Sequence, residues 1–265
     1  MFIELRRQLK RRRTLITFLL VTGLPILIVT SIALSGGPGG DRPADLVDVA
    51  SRSAINAAFF CLQASSGFLL VVVVALFAGD AVASEASWGS LRYLLVRPIP
   101  RLRLLRVKLA VASMLSLAAI LLVPLVGLIA GWIAFGWKPA VTPLGAAFSV
   151  SEGLARLAGA DLYIVASLAV VLALAFLFST LTDAPLAAVG SAVVMTVVSQ
   201  ILDLVSSLGR IRVVLPTHYW FSWLDLLQTP VPTETMSKGL ISALPWTIGP
   251  LLLAFWHFRR KDVLS

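Results

Sequence analysis

Long, uninterrupted apolar stretches dominate the chain and alternate with short polar segments. Six of these stretches, at about residues 14–34, 55–78, 109–135, 161–182, 186–208 and 239–258, have the length of roughly 20 residues that a helix needs to cross a bilayer. They are uniformly apolar rather than alternating, which favours helices over the strands of a membrane barrel. The pattern predicts an all-α integral membrane protein with six transmembrane helices, in which residues 1–265 form a single transmembrane domain.

A short basic segment, residues 1–13, precedes the first apolar stretch. Phe2, Leu5 and Leu9 recur with helical spacing and give one apolar stripe. The pattern predicts an interfacial elbow helix, although a simple charge cluster that sets the topology remains an alternative. The residues expected to contact lipid headgroups are its cations, Arg6, Arg7, Lys10, Arg11 and Arg13.

Composition agrees with a membrane protein. The chain is 58% hydrophobic and 13% charged, whereas soluble domains are about 45–50% apolar and about 25% charged. If both termini are cytoplasmic, fifteen of the 22 basic residues lie on the cytoplasmic side. Basic residues accumulate in cytoplasmic loops, so the net charge of +9 needs no nucleic-acid partner. We expect a multi-pass protein of the plasma membrane, such as a bacterial inner membrane, with its N- and C-termini in the cytoplasm.

The segment between the fifth and sixth spans, residues 209–238, is rich in aromatic residues. Tyr219, Trp220 and Trp223 are of the type that concentrates at the membrane–water boundary. The pattern predicts one or two re-entrant outer helices. His218 and Asp225 form a conceivable catalytic pair, but the pair has neither a nucleophile nor a second carboxylate.

Polar residues within the spans are candidates for a transport pathway, because such side chains tend to face other helices or a pathway. The chain has two histidines and one cysteine, Cys61, which offer too few ligands for a metal site. It also lacks the G-x-x-x-x-G-K-[ST] pattern of an ATP site. We therefore expect no catalytic residues, no metal and no cofactor in this chain. The candidate pathway residues are Gln63, Ser66, Ser199, Gln200 and Asp203.

The loop at residues 79–108, between the second and third spans, carries the most specific pattern. Its residues follow the order E-x-x-x-G-[ST]-L-x-x-L-L-x-x-P-[IV]-x-R-x₆-K, from Glu85 to Lys108. Together with the six spans, this loop resembles that of type-2 permease subunits of ATP-binding-cassette exporters. Ser90 stands where threonine is commoner, and Trp88 is bulkier than expected at its position.

The resemblance implies that the loop holds a cytoplasmic coupling helix, which we expect at about residues 81–95, docked on a separate ATPase subunit. Two ATPase subunits, which bind ATP and Mg²⁺, would pair with this chain and with a second permease, either an identical copy or a paralogue. The expected function is export of a hydrophobic or amphipathic compound, a drug or a lipid. The ATPase-coupling residues implied are Glu85, Trp88, Gly89, Ser90, Leu91, Arg92, Leu95, Arg97, Pro98 and Arg101.

Other functions remain open at this point. An ion-coupled secondary transporter is expected to place charged groups at the membrane midplane. Asp203 is the one acidic candidate in the spans and by itself is weak evidence for this class. A membrane-embedded lipid-modifying enzyme needs clustered acidic residues or histidines at membrane depth. The loop itself is alternatively a plain amphipathic connector.

Overall fold

The computed structural model describes residues 2–35, 46–87, 101–142 and 147–260. Nine α-helices lie within these ranges: α1 Phe2–Leu9, α2 Arg12–Leu34, α3 Leu46–Ala50, α4 Ala54–Ser66, α5 Leu69–Ser87, α6 Arg101–Phe135, α7 Val150–Leu181, α8 Pro185–Leu204 and α9 Thr233–Arg260. Two 3₁₀ helices, Ser206–Val214 and Ser222–Leu227, connect α8 to α9. Two-residue strands, β1 Ala140–Val141 and β2 Ala147–Phe148, pair antiparallel between α6 and α7.

The predicted class, an all-α membrane protein, is confirmed. Five helices (α2, α6, α7, α8 and α9) are long and apolar enough to cross a membrane, and the α4–α5 pair supplies a sixth span if it is counted as one. The expectation of a continuous helix over 55–78 is wrong, because α4 and α5 meet at an angle of 57°. The break falls at Gly67 and Phe68 and follows two serines, a sequence with weak helix propensity.

Helix boundaries also differ from those expected. The fourth span was expected at about residues 161–182, but α7 already begins at Val150, after its N-terminal capping residue Ser149. Ser149 Oγ accepts a hydrogen bond from the Glu152 amide at 3.3 Å, which satisfies one of the unpaired donors at the helix start. The fifth span ends at Leu204 rather than at residue 208, and the chain continues as a 3₁₀ helix.

Helix α7 lies at the centre of the bundle and packs against α5, α8 and α9. Helix α6 packs against α4 through two glycines one helical turn apart, Gly127 and Gly131. A Cβ atom on Gly131 would lie 2.8 Å from the Ala57 Cβ and 3.0 Å from the Ala54 Cα. Small residues at this spacing let two helix backbones approach closely in a membrane.

The connection between α8 and α9 is held against the bundle. Trp223 is fully buried and Trp220 is 3% exposed, so both rings pack inside the protein rather than meeting lipid as expected. The Trp223 ring stacks on Phe59 of α4 with centroids 6.4 Å apart. Arg156 of α7 donates to the carbonyl of Gln228 at 2.8 Å and to that of Leu226, which fixes the second 3₁₀ helix.

Candidate functional site

A cluster of ion pairs around two buried carboxylates lies where α5 ends and α6 begins. We call it the ion cluster; its members are Arg7, Arg11, Arg13, Asp80, Glu85 and Lys108. At its centre, Lys108 Nζ of α6 lies 2.6 Å from Glu85 Oε2 of α5. The side chains of Lys108 and Glu85 are only 3% and 4% exposed, so water screens this pair very little. Lys108 also donates to the Ala81 carbonyl at 2.7 Å.

The N-terminal segment completes the ion cluster. Arg7 of α1 pairs with Glu85, and Arg13 pairs with Asp80. Arg11, in the bend between α1 and α2, lies 2.8 Å from Asp80 Oδ2. Asp80 is 5% exposed, so its two cationic partners compensate for the cost of burying its charge. The four cations and two carboxylates therefore tie α1, α2, α5 and α6 together at one end of the bundle.

Burial lowers the pKa of an arginine and an ion pair raises it, and both effects act on Arg7 and Arg11, which lie outside the spans. Burial disfavours the charge of Arg7, but Glu85 and Glu4 outweigh it, so the pKa of Arg7 is raised above its ordinary value. For Arg11 burial prevails over the attraction of Asp80, and its pKa is lowered. Arginine has so high an ordinary pKa that both groups stay charged at neutral pH.

Helix α7 braces α5 at the level of the ion cluster. Ser179 Oγ accepts hydrogen bonds from the backbone amides of Val82 and Ala83, at 2.9 and 3.0 Å. Ser179 is 1% exposed, so these bonds form inside the packed bundle. The end of α5 is thus held on one side by α7 and on another by the ion cluster.

The ATPase-coupling residues predicted from the sequence fall mostly outside the described residues. This holds for residues 88–100 and for the side chain of Arg101. Glu85 lies inside the bundle and faces Lys108 and Arg7, rather than an exposed surface. The separate helix expected from about residue 81 does not start there, because α5 runs through to Ser87. The predicted coupling residues that lie outside the described part are Trp88, Gly89, Ser90, Leu91, Arg92, Leu95, Arg97 and Pro98.

The predicted headgroup contacts divide into two groups. Arg7, Arg11 and Arg13 hold carboxylates of the bundle through the ion cluster. Arg6 and Lys10 are exposed. Contact of these cations with lipid stays a prediction, while the structure adds a second role for three of them.

The break between α4 and α5 gathers several of the predicted pathway residues. A helix break leaves backbone carbonyls without helical partners, which is costly at membrane depth unless other groups donate to them. Gln200 Nε2 of α8 donates to the Gly67 carbonyl at 3.2 Å. Trp220 Nε1 donates to the Ser66 carbonyl at 3.3 Å. The broken span is therefore stabilised by side chains that lie far away in the sequence.

The remaining pathway candidates attach α8 to the segment that follows it. Ser199 Oγ lies 2.7 Å from Thr217 Oγ1, and Asp203 Oδ1 lies 2.5 Å from His218 Nδ1. His218 thus contacts Asp203, whereas Asp225 accepts hydrogen bonds from Gln228 and Thr235. The conceivable pair of His218 with Asp225 is not formed.

Gln63, a predicted pathway residue, and Asp161 each carry a buried polar atom that has no hydrogen-bond partner among the described residues. Gln63 borders a cavity, and its Oε1 atom is buried without a hydrogen-bond partner among the described residues. Asp161 of α7, which the sequence reasoning did not select, is 5% exposed, and its Oδ1 has no such partner either. Its position inside an apolar helix was visible in the sequence, but it lay at the edge of the predicted span. In the part of the chain that the structure describes, no group of three His, Cys, Asp or Glu residues is placed to hold a metal ion.

Comparison with known proteins gives a family but no named relative. A family described as "Protein of unknown function (DUF2705)" has a sequence model that matches residues 45–264. No curated protein matches the chain. The matched range begins before α3 and extends beyond α9, so it includes the broken span, Asp80, Glu85 and Lys108. The chain therefore belongs to the DUF2705 family.

Proposed function

We propose that the chain is the membrane-spanning permease subunit of an ATP-binding-cassette transporter. It would export a hydrophobic or amphipathic compound, a drug or a lipid, while a separate subunit hydrolyses ATP. The observation that carries the proposal is the buried pair of Glu85 with Lys108. These residues are the first and last members of the sequence pattern on which the resemblance rests.

The pair gives the segment between α5 and α6 a fixed base. Helix α5 ends at Ser87 and α6 begins at Arg101, and the 2.6 Å contact between Glu85 and Lys108 joins the two helices near these ends. A partner that pushes on this segment would move α5 and α6 together. Arg7 and Arg11 would pass the movement to α1 and α2, because their carboxylate partners lie on α5. A rigid, multiply tied base is what a coupling device needs, since coupling is carried by packed and bonded elements.

A cavity at membrane depth supports an apolar cargo. It has a volume of about 300 Å³, within the range of small-molecule sites, and lies between α5, α6, α7 and α9. Most of its lining is aliphatic, with hydroxyl groups from Ser113, Ser116 and Thr247. Such a lining accepts a hydrocarbon body with few polar groups and disfavours a charged solute.

The proposal is tested by purifying the full chain in mild detergent and identifying every protein that accompanies it. We expect an ATPase with the phosphate-binding motif that this chain lacks. Arg97→Glu and Arg101→Glu should weaken its retention, because the cations of the docking segment would be reversed. Arg210→Glu, an exposed change on the first 3₁₀ helix, is the matched control and should retain the ATPase. Full transport in vesicles by the isolated chain, without any ATPase, would contradict the proposal.

Coupling is tested separately in reconstituted vesicles. Gly89→Trp should leave ATP hydrolysis intact but abolish transport, since a bulky group would disturb docking without touching the spans. A variant that transports at the wild-type rate would remove the docking role from this segment.

A second candidate, an ion-coupled secondary transporter, is favoured by one observation. Asp161 is a buried carboxyl group within α7 whose Oδ1 has no hydrogen-bond partner among the described residues, and ionisable groups inside membranes mark ion pathways. Under this alternative, Asp161→Asn abolishes uptake or efflux driven by an ion gradient without ATP. Under the ATP-driven proposal, no gradient-driven transport exists to be lost.

A further inference from the structure

The apolar cavity between α5, α6, α7 and α9 is elongated along α6. Its lining residues on this helix run from Leu109 to Ile120, a distance of about 16 Å along the helix axis. A volume of about 300 Å³ over this length makes a slot rather than a round pocket. One leaflet contributes about half of the hydrocarbon core, or about 15 Å, so the slot matches the depth of one lipid chain.

The slot is open to the bilayer along one side. Helix α9 packs mainly against α7 and makes few contacts with α6. Leu117 of α6 borders the cavity and is 41% exposed, and Ile248 and Leu252 of α9, each next to a lining residue, are exposed as well. Water is disfavoured in such a slot, because most of the lining offers it no hydrogen-bond partner. Lipid chains from the surrounding bilayer are therefore the natural occupants.

Basic residues lie at one end of the slot. Arg106, Ser113 and Leu117 follow at i, i+7 and i+11, so the arginine lies on the slot-lining face of α6, one turn before Leu109. Side chains on a helix lean toward its N terminus, which takes Arg106 away from the apolar lining. Arg103 lies a further turn out. Helix α6 has 35 residues and is about 52 Å long, which leaves its charged first turns outside a hydrocarbon core of about 30 Å.

These two arginines are available to hold an external anion. Arg103 and Arg106 are exposed, and neither forms an ion pair among the described residues. The carboxylates at this end of α5, Asp80 and Glu85, are held by the cations of the ion cluster. A guanidinium binds a phosphate through two parallel hydrogen bonds, which makes arginine a common phosphate ligand.

An apolar slot that ends at two exposed arginines fits one class of molecule. A phospholipid joins a hydrocarbon chain to a phosphate, and the two ends of this site offer a place for each. A zwitterionic headgroup also brings an ammonium group close to the arginines, which repel it. We infer that the slot binds one chain of an anionic phospholipid, with the phosphate at Arg106 and Arg103. The inference goes beyond the proposed function, since this binding requires neither ATP nor a partner subunit.

The test measures lipid binding by the full chain in detergent micelles, using native mass spectrometry. The two probes are phosphatidylglycerol and phosphatidylcholine with identical chains, and titration gives a dissociation constant for the first bound lipid of each kind. We expect phosphatidylglycerol to bind at least fivefold more tightly, because about 1 kcal/mol for one cation near an anionic lipid corresponds to about fivefold in affinity.

Charge variants assign the headgroup contact. Arg106→Gln should reduce the preference for phosphatidylglycerol about fivefold, because one cation at the end of the slot is lost. Arg210→Gln is the matched control, since Arg210 is also exposed but lies on the first 3₁₀ helix, and it should leave the preference unchanged.

A filled slot assigns the chain contact. Ser113→Phe places a ring among the lining residues and should weaken both lipids at least tenfold. Met114→Phe is its control, because Met114 is exposed on the same helix and does not border the cavity.

Photolabelling in nanodiscs locates the bound chain. A phosphatidylglycerol with a diazirine in one chain should label the α6 segment of residues 109–120. Unlabelled phosphatidylglycerol should suppress this label at about a fivefold lower concentration than phosphatidylcholine does.

Several results would overturn the inference. Equal affinity for the two lipids, or a preference that survives Arg106→Gln, would remove the headgroup contact. Label spread evenly over the exposed faces of α2, α8 and α9 would mean that only unspecific boundary lipid is bound. Arg106 is exposed, so its variant keeps the test decisive even if Ser113→Phe fails to fold. Retention of an ATPase is a separate measurement, so this inference and the proposed function can fail independently.

Discussion

Glu85→Gln is the perturbation that most directly probes the ion cluster. Glutamine keeps the shape of the side chain but removes the negative charge that faces Lys108 and Arg7. The Lys108 ammonium would then stay buried, with the Ala81 carbonyl at 2.7 Å as its main remaining partner. Arg7 is affected less, because its side chain is 44% exposed and retains Glu4 at 2.9 Å.

The expected magnitude follows from burial. Removing one partner of a buried ion pair costs about 3–5 kcal/mol, because the other charge is left uncompensated. The Ala81 carbonyl and the exposure of Arg7 both reduce the loss, so we expect about 3 kcal/mol for Glu85→Gln, the lower end of that range. The matched control is Glu234→Gln, which breaks a pair with Lys238 at the same distance of 2.6 Å. That pair is 78% and 55% exposed, so water screens it and its loss should change the free energy of unfolding far less.

The chain contains its own reporter for the measurement. Cys61 is the single cysteine and is fully buried, so a fluorogenic maleimide reacts with it only when the bundle opens. Titration of the purified protein from mild detergent into SDS gives the free energy of unfolding for each variant. Wild-type protein should resist labelling before the transition, and Glu85→Gln should unfold at a lower fraction of SDS.

A double-mutant cycle isolates the pair itself. Lys108→Met alone should cost about 2 kcal/mol, because Glu85 keeps Arg7 as a partner. The double variant Glu85→Gln/Lys108→Met has no buried ammonium left unpaired, so it should also lose only about 2 kcal/mol. This loss is about 3 kcal/mol smaller than the sum of the two single losses, and that difference is the coupling energy of the pair. Additive losses, or a Glu85→Gln loss no larger than that of Glu234→Gln, would refute the view that this buried pair holds α5 against α6.

The helix interfaces give further expectations in the same thiol assay. Gly131→Leu should destabilise the bundle by about 1–3 kcal/mol, since its Cβ would lie 2.8 Å from the Ala57 Cβ. Gly190→Leu is its control, because nothing lies within 4 Å of that position, and equal losses in the two variants would contradict close packing at Gly131. Gln200→Leu should cost about 1–3 kcal/mol, because the Gly67 carbonyl at the helix break loses its donor. A wild-type free energy of unfolding for Gln200→Leu would show that this carbonyl finds another partner.

Much of the architecture follows from local pattern alone. The spans were predictable because crossing a bilayer requires a long apolar run, and such runs are rare in any other context. The capping serine at Ser149 was also predictable, since it acts on an amide only three residues away. The positions at which helices break and end were predicted wrongly. The second span is broken at Gly67, and α5 extends through Ser87, where a separate helix was expected. Apolar composition is the same on either side of such a break, so hydropathy gives no signal of it.

The candidate sites divide in the same way. Gln200 and Ser66 were selected as polar residues within apolar helices. At the helix break Gln200 donates to the Gly67 carbonyl and the Ser66 carbonyl accepts from Trp220, and both contacts join residues more than a hundred positions apart. Glu85 was selected as a member of a surface motif, whereas the structure buries it against Lys108. Trp223 was interpreted as an interfacial aromatic residue and instead forms the wall of a cavity.

The sequence by itself determined that the chain belongs in a bilayer. It is 58% hydrophobic and has six long apolar runs, and a soluble fold could not bury so much apolar surface away from water. Tertiary structure alone decided which polar and charged groups meet. In a membrane, hydropathy places a charge at a depth but not beside a particular partner; packing of distant helices brings Glu85 to Lys108 and Arg7. The same packing leaves Trp223 Nε1 and Gln63 Oε1 buried without hydrogen-bond partners among the described residues, because hydrogen bonding depends on angles and distances that no linear pattern records.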